Sequence, residues 1–201
     1  MTKTNNANNT LEKPVQKGKF RAASIARSAL CVAFISVCSV ITIPIGSVPI
    51  TMSLFGIMLT ALLLSPAETF LAIIVYIALG AIGVPVFSGG GSGLGVLTGP
   101  TGGFILSYPL MTSIISAFRI FYRKKGLKDK VKHTTLMFLV CLLTLPVCYT
   151  IGTLQFINYA GVSAYAALTV CVLPFIIPDV FKSVLAVWLA EKIRPRIGLT
   201  I

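Results

Sequence analysis

Apolar positions gather into long blocks along this chain instead of alternating with charge. The runs 28–67, 69–118 and 133–178 contain no Asp, Glu, Lys or Arg. Each is long enough for two membrane passes at about 20 residues per span. Pro44-Ile45-Gly46 with Pro49 breaks the first run, and the glycine cluster after Pro85 breaks the second, because proline carries no backbone donor and pushes the residue before it out of helical geometry. The pattern predicts spans over about 20–43, 50–64, 67–84, 103–118 and 135–154, with Pro146 as a kink in the fifth. After Gly161, the apolar stretch 163–177 is interrupted at Pro174 and stopped by Pro178. It reads as a helical segment lying across or dipping into the outer side, followed by a sixth span that starts at Asp179 and ends by Glu191-Lys192-Ile193-Arg194. The fold class expected is an all-α integral membrane protein with six transmembrane helices. Residues 1–19 are expected as a disordered tail and 20–197 as a six-helix substrate-binding membrane domain.

Composition agrees: 56% of residues are hydrophobic, 11% are charged and the mean hydropathy is +0.93, outside the range of ordinary soluble domains. A net charge of +12 raises nucleic acid as a partner, and the placement of the charges excludes it. Lys3, Lys13, Lys17, Lys19, Arg21 and Arg27 precede the first apolar run, seven basic residues fall between Arg119 and Lys132, and Lys192, Arg194 and Arg196 close the chain. The positive-inside rule puts all three clusters, and with them both termini, in the cytoplasm. Of the 17 Lys and Arg residues only Lys182 lies elsewhere. Were 163–177 a full span, the basic ends would face opposite sides. The polar start lacks the early apolar core of a signal peptide. Cys31, Cys38, Cys141, Cys148 and Cys171 all lie in apolar segments with no Cys-x-x-Cys, and His133 is the one histidine, so neither a metal site nor a disulfide framework is indicated. No acid or histidine stands near a cysteine in the sequence to activate it, which argues against an enzyme. His133 itself is expected at the membrane interface.

Three stretches carry candidate chemistry. Ala22, Ala26, Ala29 and Ala33 recur at helical spacing, which either offers a smooth face to another membrane helix or reflects no more than alanine's helix propensity. Residues 88–103 contain eight glycines in sixteen positions. A phosphate loop is excluded there, since no Gly-Lys-Ser/Thr follows and the segment succeeds a helix, not a strand. The stretch is read as a packed glycine-rich cap on the outer side between helices 3 and 4, with a flexible extracellular loop as the alternative, because Leu94, Val96 and Leu97 lie among the glycines and irregular backbone at membrane depth must be buried or line a cavity. Pro66 and Glu68 suit the first turn of the third span. The third stretch is Pro178-Asp179-Val180-Phe181-Lys182, an acid and a base three residues apart inside an apolar region. At that spacing both side chains lie on one helical face. Asp179 has an N-cap as its simplest role and the two have a structural ion pair, but intramembrane charge marks a substrate site by default.

Four motifs then resemble the BioY family, the biotin-binding S component of energy-coupling factor (ECF) transporters. They are Ile43-Pro44-Ile45-Gly46-Ser47-Val48-Pro49-Ile50-Thr51, Gly80-Ala81-Ile82-Gly83-Val84-Pro85-Val86-Phe87-Ser88-Gly89-Gly90, Gly99-Pro100-Thr101-Gly102-Gly103 and Leu173-Pro174-Phe175-Ile176-Ile177-Pro178-Asp179-Val180-Phe181-Lys182. The resemblance spans about residues 22–196. It implies a multi-pass cell-membrane protein that is not an enzyme, binds biotin as a transported ligand, needs no cofactor, and works with a transmembrane coupling subunit and two ATPases. It places biotin on Asp179 and Lys182, with Asp179 accepting the ureido N–H bonds and Lys182 pairing with the carboxylate. Thr51, Phe87, Gly89, Gly90, Gly91, Gly93, Thr101, Gly102, Gly103 and Tyr149 are the expected enclosing residues. Ala22, Ala26, Ala29 and Ala33 map to the face that meets the coupling subunit. The chain departs from the family pattern at Gln155, where an aromatic or aliphatic residue is expected, and at Ile176-Ile177. A stand-alone facilitator, or an S component for another small carboxylate vitamin, are the alternatives.

Overall fold

A backbone N–H or C=O exposed to hydrocarbon has no water to bond, so an apolar chain of this kind satisfies its backbone within helices. The computed structural model describes the backbone of residues 15–124 and 130–196, and the side chains of 22–122 and 131–196. The tail up to residue 14 and the middle of the basic loop, 125–129, lie outside the described residues. In chain order the elements are α1 (Val15–Val40), a ribbon of β1 (Thr42–Ile43) and β2 (Ile50–Thr51), α2 (Ser53–Leu63), α3 (Pro66–Ala81), a 3-10 turn (Ser88–Gly90), α4 (Leu94–Thr98), α5 (Gly102–Lys124), α6 (Lys130–Ala160), α7 (Ala164–Cys171) and α8 (Ile176–Ile193). α1 begins at Val15, so the last residues assigned to the tail are helical.

Three helices are long and apolar enough to cross a membrane, over Ala22–Val40, Gly102–Tyr122 and Val131–Ala160. α7 and α8, bent by 45° at their junction, make a fourth if they are taken as one span. α2 and α3 are shorter apolar helices. α2 has 11 residues, about 16 Å at the helical rise. Its start at Ser53 and not Ile50 has a local cause: Thr42 pairs with Thr51 and Ile43 with Ile50 in an antiparallel register, and β-branched side chains suit that pairing. Every residue from Ser53 to Leu62 is buried, as expected of a helix apolar on all sides. α2 packs against α1, α3, α5 and α8, so protein surrounds it and the outer helices meet the apolar surroundings.

The chain leaves α2 through Leu64 and restarts at Ser65, whose hydroxyl and backbone N–H form a capping box with Glu68. Glu68 also accepts from the Ser24 hydroxyl and, at 2.8 Å, from the Arg27 guanidinium, which ties α3 to α1. The last carbonyls of α2 have no partner in their own helix. Arg119 of α5 donates to Leu62 O at 2.6 Å and to Leu64 O.

His133 is buried among protein groups: it is 2% exposed, its Nδ1 lies 3.0 Å from Glu191 Oε1, and its ring tilts against Tyr122 at 5.1 Å. One expectation needs correction: Asp179 does not open its helix. α8 starts at Ile176 with Pro178 third in line, a position where the missing N–H costs no helical bond, and Asp179 N already donates to Phe175 O at 2.9 Å. Ala22, Ala26, Ala29 and Ala33 are all exposed on α1, alongside Ile25, Leu30 and Val37.

Candidate binding site

One turn into α8, Asp179 and Lys182 point the same way because they stand three residues apart. Lys182 Nζ donates to Asp179 Oδ1 at 2.8 Å. Tyr149 of α6 donates to Oδ2 at 2.8 Å, and Ser183 donates to the Asp179 carbonyl at 2.7 Å. Asp179 is 0% and Lys182 4% exposed. A buried charge is costly unless paired and hydrogen-bonded, and here each carboxylate oxygen has a donor. Lys182 uses one of its three N–H groups on Asp179, and the carboxylate oxygens keep lone pairs.

This cluster forms one wall of a partly open cavity between the helices, and small-molecule sites are concave and mostly apolar with a few placed polar groups. The loop after β1 and the start of α2 contribute Val48, Pro49, Thr51, Ser53 and Leu54. Tyr76 of α3 and Ser88 add a second side. Thr101, Phe104, Ile105 and Tyr108 come from α5 and its approach, Cys148 and Tyr149 from α6, and Phe175 from the α7–α8 corner. The walls are therefore mostly apolar with a few fixed polar groups. Besides the α8 pair, Thr51 and Ser53 hydroxyls meet at 2.5 Å, with the Tyr108 hydroxyl 3.3 Å from Ser53. The Tyr76 hydroxyl donates to Val86 O at 3.1 Å. The buried Ser88 hydroxyl oxygen has no hydrogen-bond partner among the described residues. The five cysteines are free thiols, and no group of three His, Cys, Asp or Glu residues that would hold a metal occurs among the described residues.

The structure divides the residues expected to enclose a ligand. Thr51, Thr101, Tyr149, Asp179 and Lys182 line the cavity, while Phe87, Gly89, Gly90, Gly91, Gly93, Gly102 and Gly103 do not. Phe87 is 0% exposed and packs edge-on against Tyr76 at 5.7 Å. Its ring occupies the notch that Gly80 leaves, where a Cβ would collide with it. Phe87 thus buttresses a lining residue from behind. Gly89, Gly90 and Gly93 have φ of 63°, 81° and 85° and serve the turns of the segment, since such angles are costly for other residues. Gly102 and Gly103 press α5 against its neighbours: a Cβ on Gly102 would strike Leu97 O, and one on Gly103 would lie 2.6 Å from Ile151 O. The glycines shape the wall without forming it.

Sequence reasoning missed Ser53, Tyr76, Tyr108, Cys148 and Phe175. For the two tyrosines a signal existed, since a buried phenol needs a partner for its hydroxyl and both fall inside the charge-free run 69–118. Gln155, noted as a departure, is placed firmly: its Nε2 donates to Leu97 O at 2.7 Å and to Gly99 O at 2.9 Å.

Comparison with known proteins fits this geometry. The chain is 37% identical over 174 residues to the probable biotin transporter BioY of Pyrococcus horikoshii, covering 87% of this chain and 98% of that protein. It is 38% identical over 163 residues to the biotin transporter BioY2 of Lactococcus lactis subsp. cremoris, covering 81% and 85%. The crystal structure at 2.1 Å of the S-component for biotin from an ECF-type ABC transporter matches with a TM-score of 0.80 at 25% identity, over 88% of this chain and 93% of that one. These relatives are transport proteins, not enzymes. The family model described as the BioY family matches residues 8–198, and the chain belongs to the BioY family of membrane proteins.

Proposed function

We propose that this protein is the biotin-binding S component of an ECF transporter, capturing biotin at the outer face of the cell membrane for uptake. The observation that carries this reading is the Asp179–Lys182–Tyr149 cluster buried on the wall of a mostly apolar cavity. Biotin has two ureido N–H donors, a carboxylate and a compact apolar bicycle. Asp179 accepts from the ureido group, Lys182 turns its remaining N–H groups to the carboxylate, and Tyr149 holds Asp179 in register. Charge-assisted bonds of this kind are the strong ones. Phe104, Ile105 and Phe175 enclose the rings, and the glycine-rich segment from Ser88 to Gly103 covers the site as a cap. Thr51 and Thr101 add hydroxyls at its rim.

In this reading the chain crosses the membrane six times, with both termini cytoplasmic as the basic clusters require. The short α2 counts as a pass because protein shields its ends from lipid. No nucleotide-binding motif is present in the sequence, so the energy comes from a transmembrane coupling subunit and two ATPases. The exposed face of Ala22, Ala26, Ala29 and Ala33 is where a coupling helix fits closely, as small residues allow in lipid.

Labelled-biotin binding to the purified, detergent-solubilised protein tests the ligand. Saturable binding that dethiobiotin displaces less well than biotin is expected, and no binding by folded protein rejects the reading. Uptake in a host with and without a coupling module tests the energetics. Uptake that is independent of ATP points to a facilitator acting alone.

A further inference from the structure

Between Phe87 and Gly102 the chain gives the cavity wall Ser88 and Thr101 and has few side chains of its own to anchor it. Its first half is well tied. Phe87 is wedged behind Tyr76, Gly89 N donates to Thr42 Oγ1 at 3.0 Å, and Gly93 N donates to Gly80 O at 2.7 Å. The second half, α4 and Gly99, is held differently. Among the described residues, 94–99 is tied to other helices by the two bonds from Gln155 on α6 and by Gly102 N of α5, which donates to Gly99 O at 3.2 Å.

Those bonds meet a specific need. α4 is five residues long, and the last carbonyls of a helix have no partner within it. Leu97 O is such a carbonyl, and Gly99 O, which accepts from Gly102 N at 3.2 Å, keeps a second lone pair. A primary amide nitrogen carries two N–H groups in one plane, one for each. A leucine or phenylalanine at 155 fills similar space and bonds neither. Immediately downstream, Gly102 and Gly103 let α5 close onto Ile151 and Gln155, and Thr101 and Phe104 enter the cavity wall. The corner that Gln155 grips is the one that sets these two lining residues.

We infer that Gln155 is a positioning residue that latches the α4–α5 corner leading into the lining residues Thr101 and Phe104, so that release of its two bonds governs how fast the ligand leaves. The inference rests on the biotin-binding reading above. Hydrogen bonds between neutral groups are individually modest, which suits a latch that must open in every transport cycle. A latch acts on the closed state, so its loss speeds dissociation and leaves association unchanged or faster. Damage to a pocket wall also speeds dissociation, so amide exchange in the ligand-free protein is what separates the two.

Gln155→Leu retains bulk without donors, and Gln155→Glu retains shape but presents acceptors to two carbonyls. In labelled-biotin exchange on the purified full-length protein, both variants should dissociate about tenfold faster than wild type, the equivalent of losing one to two modest bonds. Amide hydrogen exchange of the ligand-free protein should rise at residues 96–101, with 88–93 unchanged. A dissociation rate within about twofold of wild type in both variants, or a loss confined to association, overturns the latch. If wild type itself fails to bind biotin, the ligand reading fails, and the exchange pattern still decides whether Gln155 holds the corner.

Discussion

α8 carries an acid–base pair at each end, and the two are built for different work. Near its start, Asp179 and Lys182 bond to each other at 2.8 Å within a single helix. Near its end, Glu191 bonds to His133 of α6 at 3.0 Å. The second pair joins two helices and belongs to an end of the molecule where polar groups serve assembly: Arg119 closes α2 from α5, and Glu68 ties α3 to α1. The first pair is complete once α8 forms and joins nothing else through its own salt bridge. It nevertheless fills a buried, expensive position on a cavity wall. Among the described residues its one side-chain tie to another helix is the Tyr149 hydroxyl of α6 on Asp179 Oδ2, and a charge pair kept at such cost with so little assembly role is what the biotin-binding proposal accounts for.

The largest expected effect follows from removing the cavity pair as a unit. Asp179→Asn with Lys182→Met should weaken biotin binding by about 4 kcal/mol, near a thousandfold. The melting temperature in detergent should move little, because paired buried charges replaced together are close to neutral for stability. Calorimetric titration and a melting curve on the same sample check both halves. Equal binding by the double variant would reduce the cavity pair to the same status as the His133 pair. Lys182→Met alone sharpens the point. It leaves the 0% exposed Asp179 uncompensated, at a cost of about 3 kcal/mol. The single variant should therefore melt below the double one.

This division between the ends was only partly legible in the chain. The charge-free runs placed most of the helical segments, and Asp179 and Lys182 stood out because nothing charged surrounds them in sequence. His133 and Glu191 are 58 residues apart, and no local pattern couples them, so a lone histidine beside a basic loop read as interfacial. The glycine cluster was legible only in part. A cluster without side chains signals close approach of backbone, but not to what, and at Gly102 and Gly103 the approach is to Leu97 and Ile151. The tyrosines that do line it, Tyr76 and Tyr108, sit on helices whose inward face is decided by packing. Period alone does not reveal it when all faces are apolar.

At the assembly end, Glu191→Ala should lower stability by about 2 kcal/mol, since it strips the partner from a buried imidazole. Biotin affinity should stay within about twofold. A large loss of affinity there would break the contrast by showing that the far end of α8 communicates with the cavity. Returning to the cavity end, Tyr149→Phe removes only the hydroxyl that meets Asp179 Oδ2. Bonds to charged groups are worth about 1.5 kcal/mol or more, and this one exists without ligand, so the variant should melt lower and, with Asp179 no longer held in register, titration should find binding up to about tenfold weaker.

The smallest effect tests whether the assembly end is energetically separate from the site. Ser65→Ala removes half of the capping box that starts α3 and should cost about 1 kcal/mol, the usual value of an N-cap. Glu68 keeps its bonds to Arg27 and to Ser24 in that variant, so the link between α1 and α3 survives and the loss stays local. A slightly lower melting temperature with unchanged biotin titration is the expected pair of results. If Ser65→Ala instead shifts the titration, α3 must transmit the frayed turn along its length to Tyr76 on the cavity wall. The two ends would then be coupled through α3 in the same way that α8 joins them by chain.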